Sequence, residues 1–232
     1  FQKVVEVAPS LNLKEETRQK LYSYAVNIAK EVNYNNVGTV EFLVDKNENI
    51  YFIEVNPRIQ VEHTVTEMIT GIDLIKTQIF IAAGYRLTDP QIGLLSQDSV
   101  SKNGFAIQCR ITTEDPENDF KPEFGTLLTY RNAAGFGVRL DEGSTYPGMK
   151  ISPFFDSMLV KVSTSGSTLH DAVRKMDRAL REFRIRGVKN NIRFLENIIN
   201  HPVFIAGDAT VNFIQEHPEL FNIKSGLDRG TR

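Results

Sequence analysis

Thr39-Val-Glu-Phe-Leu-Val-Asp-Lys-Asn-Glu-Asn-Ile-Tyr-Phe-Ile-Glu-Val-Asn56 is the stretch on which the reading of this chain turns. Two runs rich in β-branched and aromatic residues flank a polar turn at Asp45–Asn49, which predicts a β-hairpin. Side chains alternate faces along a strand. A turn centred between Asn47 and Glu48 sets Glu41 directly opposite Glu54, each in the middle of an otherwise apolar strand. Two carboxylates about 4 Å apart repel by about 4 kcal/mol at an effective dielectric near 20. A shared proton or a cation must offset that. Asn56 lies two residues beyond Glu54 and shares its face if the strand continues. Two carboxylates and an amide oxygen form an all-oxygen donor set, which suits Mg²⁺ or Mn²⁺ better than zinc. The competing reading is a solvated face carrying both glutamates. Thr39 and Leu43 share that face and leave its sidedness mixed, and a slip of one residue would remove the pairing.

Arg58, Gln60 and Glu62 continue the same alternation after Pro57. They would line one surface beside the cation. A guanidinium can hold a small oxyanion in a planar fork, and the neighbouring carboxylate could accept a proton. The alternative is a surface Arg–Glu pair, which usually contributes little.

Outward from the hairpin, residues 3–8 read as a strand, and Asn12 with Glu15 reads as an N-cap and capping box opening a helix over 13–32. A helical stretch over 64–84 is interrupted at Gly71. Residues 85–103 are polar and irregular and mark a candidate domain boundary. The pattern then becomes strand-rich, at 104–114, 125–130, 136–141 and 157–164. Leu169, Ala172, Val173, Met176, Ala179, Leu180 and Phe183 form one face of a further helix, with shorter helices at 190–200 and 209–217 and a linker from Pro218. The expected class is α+β with a largely antiparallel sheet.

Composition narrows the function. The 232 residues carry 27 Lys+Arg against 29 Asp+Glu, so the basic excess of a nucleic-acid binder is missing. Cys109 is the single cysteine, so no intrachain disulfide can form. No apolar run is long enough to cross a membrane. The chain opens as a strand already under way, without an initiator Met or signal peptide. It is therefore expected to be part of a longer protein. The expected compartment is the cytoplasm of a bacterium or the mitochondrial matrix of a eukaryote.

Glu54-Val-Asn-Pro-Arg-Ile-Gln-Val-Glu-His63 resembles the signature of the biotin carboxylases, which are ATP-grasp enzymes. The resemblance continues through Thr66–Asp73, Gln108–Ile111 with Glu114–Pro116, Gly135–Arg139, Phe155–Ser157 and Arg186–Asn190. Other ATP-grasp ligases, such as carbamoyl-phosphate synthetase, follow Asn-Pro-Arg with serine-rich residues instead. Pro57, Thr64, Arg110-Ile-Thr-Thr-Glu114, Pro218–Phe221 and Asp228–Thr231 are most similar to the pyruvate carboxylase branch. The acetyl-CoA and propionyl-CoA branches, or a non-catalytic dimerisation scaffold, are the alternatives.

The resemblance implies ATP-driven carboxylation of biotin by bicarbonate through carboxyphosphate, the carboxyl then passing to pyruvate to give oxaloacetate. By matching position, Glu41, Glu54 and Asn56 would hold Mg²⁺ or Mn²⁺ on ATP. Arg58, Gln60 and the Val61 backbone would hold bicarbonate, with Glu62 its general base. Arg110 would stabilise carboxyphosphate and the biotin enolate, and Val211 would touch adenine. Phe136 and Arg139 would lie at a dimer interface, with Arg139 pairing across it. The implied partners are ATP, bicarbonate and a biotinyl carrier domain, in a homodimer that could form a tetramer in the parent. Nucleic acid and membrane are not among them. Residues 1–85 would complete an ATP-grasp domain, 86–103 connect, 104–217 form the biotin carboxylase C-terminal domain and 218–232 lead towards a carboxyltransferase region. The glycine-rich phosphate lid and the upstream lysines and histidine of the family are missing from the sequence, so the chain alone is expected to be inactive. His63 is expected to orient the loop, and Cys109, alternating away from Arg110, to point into the core.

Overall fold

β4 (Phe105–Thr112) explains the main sheet. Ala106, Ile107, Gln108, Cys109 and Ile111 are fully buried along it, so both faces are covered, as expected for a central strand. This computed structural model describes residues 3–223. The first elements are β1 (Val5–Ala8), α1 (Glu15–Glu31), β2 (Thr39–Val44), β3 (Ile50–Asn56), α2 (His63–Thr70) and α3 (Leu74–Ala82). After β4 come β5 (Glu114–Asp115), β6 (Lys121–Pro122), β7 (Gly125–Thr126), β8 (Thr129–Arg131), β9 (Val138–Glu142), β10 (Lys150–Ile151) and β11 (Met158–Gly166). The chain continues with α4 (Leu169–Glu182), β12 (Arg184–Arg186), α5 (Ile192–Ile199), α6 (Pro202–Ala206), α7 (Phe213–Glu216) and a 3₁₀ turn at Pro218–Phe221. Helices and antiparallel strands together make an α+β protein. Among the described residues no helix is long and apolar enough to cross a membrane.

The chain divides into two units. One comprises residues 7–103; the other joins residues 3–6 to residues 104–223. The second unit carries the antiparallel strands β4, β11 and β9, with Val5 and Glu6 of β1 beside β4. Helix α4 packs on β11 and β4 through Ala172, Val173, Met176, Ala179 and Leu180, the helical stripe that the sequence predicts. Thr168 starts it by accepting the Asp171 N–H at 3.1 Å. Phe194 of α5 stacks against Phe120 and Phe221 with centroids 5.0 Å away in each case. Burial of the Phe194 ring stabilises the fold by roughly 1.5–3 kcal/mol. Gly187 is obligatory here: its φ is 101°, and a Cβ would sit 2.0 Å from the Thr126 carbonyl oxygen.

In the first unit, α1 begins at Glu15 with Lys14 at the N-cap and no side-chain cap. Asn12 instead takes a left-handed turn conformation, φ 53°, so the predicted capping box does not form. Gly71 ends α2 in the left-handed conformation, φ 71°, and Asp73 opens α3 by accepting the Lys76 N–H at 2.8 Å. The predicted helix over 209–217 is a single turn, α7, and α6 was not foreseen. Residues 218–221, read as the start of a linker, are packed through buried Leu220. Residues 224–232 of that segment, which include Asp228–Thr231, lie outside the described residues, as do the first two.

Candidate active site

The hairpin turn is built by one side chain. The Asp45 carboxylate accepts the N–H groups of Asn47 and Asn49 at 2.8 and 2.9 Å and the Asn49 amide at 2.9 Å. Those bonds hold its carboxyl below the usual range, the Asn49 side-chain bond acting most strongly. Glu41 faces Glu54 in the ladder, as the sequence register predicts. Nearer the turn the register shifts by one, with Phe42 facing Phe52, and Ile53 is the extra residue of a bulge on β3.

The two carboxylates are drawn together by amides. Asn56 Nδ2 donates to Glu41 Oε1 at 3.1 Å and to Glu54 Oε1 at 2.8 Å. Gln60 Nε2 donates to the same Glu41 oxygen at 2.7 Å and is itself buried. An amide N–H thus takes up negative charge between the carboxylates. Turning the Asn56 amide over would present its oxygen to the same point, completing three oxygen donors for a hard cation. The donor set therefore fits Mg²⁺.

The strand does not continue past Asn56. Pro57 has no N–H to extend the ladder, and the Arg58 N–H turns back to the Asn56 carbonyl at 2.8 Å. The expected alternation of Arg58, Gln60 and Glu62 along a strand is therefore replaced by a loop. In it Arg58 is exposed, with Nη1 on the Ile59 carbonyl at 3.1 Å, Gln60 folds inward, and Glu62 is the N-cap residue of α2. His63 Nδ1 lies 2.7 Å from the Gln60 carbonyl oxygen, and its Nε2 lies 3.7 Å from Glu67 Oε2. Glu67 in turn accepts the Leu74 N–H at 2.7 Å. This anchor for the Gln60–Glu62 loop was not foreseen beyond His63, although the signal is present as a His–Glu pair four apart on a helix.

Arg110 belongs to the other unit. Its Nη2 lies 3.1 Å from Glu6 Oε1, and buried Gln108 donates to Glu6 Oε2 at 3.0 Å. Glu6 was not anticipated from sequence. Asn191 fixes the strand around Arg110, donating to its carbonyl at 2.8 Å and accepting the Thr112 N–H at 2.9 Å. Cys109 points to the opposite face and is fully buried; burial, aided by the Glu6 charge, pushes its thiol well above the usual range. Phe136 is 94% exposed, with Lys175 Nζ 5.2 Å from its ring centroid. Arg139 pairs with Asp141 of its own strand at 2.9 Å, and Val211 is exposed.

Two family models cover most of the chain. Residues 1–89 match the carbamoyl-phosphate synthase L chain ATP-binding domain, and residues 108–216 match the biotin carboxylase C-terminal domain. The end of an ATP-grasp domain running into that C-terminal domain defines the class, and the chain matches the C-terminal half of a biotin carboxylase module. Pyruvate carboxylases are among the proteins it is similar to. The *Staphylococcus aureus* pyruvate carboxylase is 54% identical over 231 residues, all of this chain and 20% of that protein. A *Rhizobium etli* pyruvate carboxylase structure with the allosteric activator acetyl coenzyme A superposes with a TM-score of 0.94 at 52% identity, over 99% of this chain and 23% of that one. The biotin carboxylase domain dimer of *Hydrogenobacter thermophilus* 2-oxoglutarate carboxylase, in complex with MgADP, ADP and bicarbonate, gives 0.89 at 44% identity, over 95% and 47%. The chain spans about a fifth of the length of the curated relatives it matches.

Proposed function

We propose that this chain supplies the cation- and bicarbonate-binding face of the biotin carboxylase module in a pyruvate carboxylase, which carboxylates biotin at the expense of ATP and passes the carboxyl to pyruvate. The observation that carries the reading is the convergence of Asn56 and Gln60 on the facing carboxylates Glu41 and Glu54. A scaffold has no need of two carboxylates gathered in this way. Bound Mg²⁺, or Mn²⁺ with the same oxygen preference, would neutralise phosphate charge on ATP. Glu41, Glu54 and Asn56 would hold it.

Arg58 is exposed on its loop and forms no ion pair among the described residues, so its fork is available to bicarbonate, with Gln60 and the Val61 N–H completing the cradle. Glu62 would take the bicarbonate proton as oxygen attacks the terminal phosphorus of ATP, giving carboxyphosphate and ADP. Arg110 would face the negative charge of carboxyphosphate and the biotin enolate, with Glu6 setting its orientation. Val211 is assigned to the adenine. Biotin would arrive on a carrier domain, and a two-fold contact through Phe136 and Arg139 would pair two modules. The compartment would be the bacterial cytoplasm, or the mitochondrial matrix in a eukaryotic host.

The test replaces the matching segment of an active pyruvate carboxylase with this chain and follows bicarbonate-dependent ATP cleavage with free biotin. Arg58→Lys keeps the charge and loses the fork. Turnover should fall roughly 10²–10³-fold, the scale of losing one oxyanion donor, with little change in KM for ATP. A rise confined to that KM, with turnover intact, would make Arg58 an ATP ligand and overturn the assignment. Glu62→Gln should abolish turnover by removing the base.

A further inference from the structure

Three side chains meet in the second unit, on a donor chemistry unlike that of the hairpin. His201 is the N-cap of α6 and accepts the Val203 N–H on Nδ1 at 3.3 Å. His217 and Glu219 flank Pro218, where α7 passes into the 3₁₀ turn. Glu219 Oε1 lies 3.2 Å from His201 Nε2 and 2.8 Å from His217 Nδ1. One donor atom from each residue falls within 4.8 Å of the others. The two imidazoles are 4.3 Å apart, and buried Phe213 backs both rings at 5.2 and 5.0 Å. The aromatic wall limits how far either ring can swing away.

We propose that His201, His217 and Glu219 form a binding site for a zinc-class divalent cation. Zinc bonds to nitrogen and oxygen of about 2.0–2.2 Å in a tetrahedron place neighbouring donors roughly 3.3 Å apart. The two separations to Glu219 are already close to that spacing. Two imidazoles and one carboxylate are the donor set of open zinc sites, with solvent in the fourth position. Nitrogen donors disfavour Mg²⁺, which takes oxygen. The site is reachable: the side chains of His201, His217 and Glu219 are 15%, 25% and 52% exposed.

The apo arrangement sets the strength. Because His201 Nδ1 accepts the Val203 N–H, its Nε2 carries the proton directed at Glu219. Binding through Nε2 moves that proton to Nδ1 and gives up the long 3.3 Å cap. Both N–H···O contacts with Glu219 are exchanged for metal bonds. Affinity is therefore well short of that of a closed structural zinc site. The bound ion would tie the start of α6 to the turn after α7. This proposal does not depend on the carboxylase reading.

The test is calorimetric titration of the 232-residue chain with Zn²⁺ in metal-free buffer, together with Co²⁺ absorption and thermal melting. One Zn²⁺ should bind per chain, Co²⁺ should show the visible bands of a four-coordinate N/O site, and excess Mg²⁺ should not displace either. Glu219→Gln and His217→Gln should each weaken binding at least tenfold, taking the lower range of loss seen even for outer-shell partners. Zn²⁺ should raise the melting temperature of the unsubstituted chain by a few degrees and leave Glu219→Gln unmoved. The control variant His170→Gln should retain the site. Unchanged affinity in Glu219→Gln and His217→Gln, each with native circular dichroism, would overturn the proposal. So would absence of binding, or loss of binding in the control.

Discussion

Asp45 and Cys109 show how one side chain can report on a fold. The Asp45 carboxyl is held below its usual range, so its clamp on the turn is fully present above the unfolded carboxylate value, near pH 4, and is lost as pH falls through the lower folded value. Hydrogen exchange at the Asn47 and Asn49 amides should therefore speed up on acidification by more than the intrinsic rate change. Asp45→Ala should abolish that excess and lower the urea midpoint. Cys109 shifts the other way: its thiol stays neutral well into alkaline solution. It should react with a disulfide reagent at pH 8 only after denaturant opens the fold, and prompt labelling of native protein would contradict its burial. The inward aim of Cys109 was legible from strand alternation. Its neighbour's partner, Glu6, was not, because it lies about a hundred residues upstream and only sheet order brings it to Arg110.

At the scale of elements, the strands and helices with clear periodicity were legible and their local departures were not. The facing of Glu41 and Glu54 follows from alternation, yet near the turn the pairing is one residue out of the predicted register, the turn centring on Asn47, and the Ile53 bulge restores the register. A bulge leaves no mark in a run of apolar residues. The loop after Asn56 could have been inferred more firmly from Pro57, which ends the ladder. Helix α4 has both its stripe and its Thr168 cap in the sequence; Thr168→Ala should cost about 1 kcal/mol in a denaturant titration. Gly187→Ala should be far worse, roughly 2–4 kcal/mol or loss of folded protein, because the new methyl would occupy the position of the Thr126 carbonyl oxygen in a left-handed backbone. A soluble variant of unchanged stability would show that the Thr126–Gly187 approach is looser than described.

For the whole molecule, the two units and the exposed ring of Phe136 govern behaviour in solution. Phe136 is 94% exposed just before the edge strand β9, where its ring is accessible to a second copy of the chain. If the two-fold contact forms there, light-scattering mass should rise towards that of a dimer with concentration, and Phe136→Glu should hold the chain monomeric with its circular dichroism unchanged. A monomer at every concentration would remove Phe136 and Arg139 from the interface.

The β2–β3 ribbon carries a different consequence. It is a two-stranded sheet with Leu43, Tyr51, Phe52, Ile53 and Val55 all exposed. Among the described residues no third strand pairs with its outer edges, and no proline or lysine interrupts Ile50–Asn56. Such a segment is a template for cross-β growth. Fibril nucleation, followed by thioflavin fluorescence, should start here, and a lysine in place of Ile53 should lengthen the lag phase while leaving Glu41 and Glu54 in register.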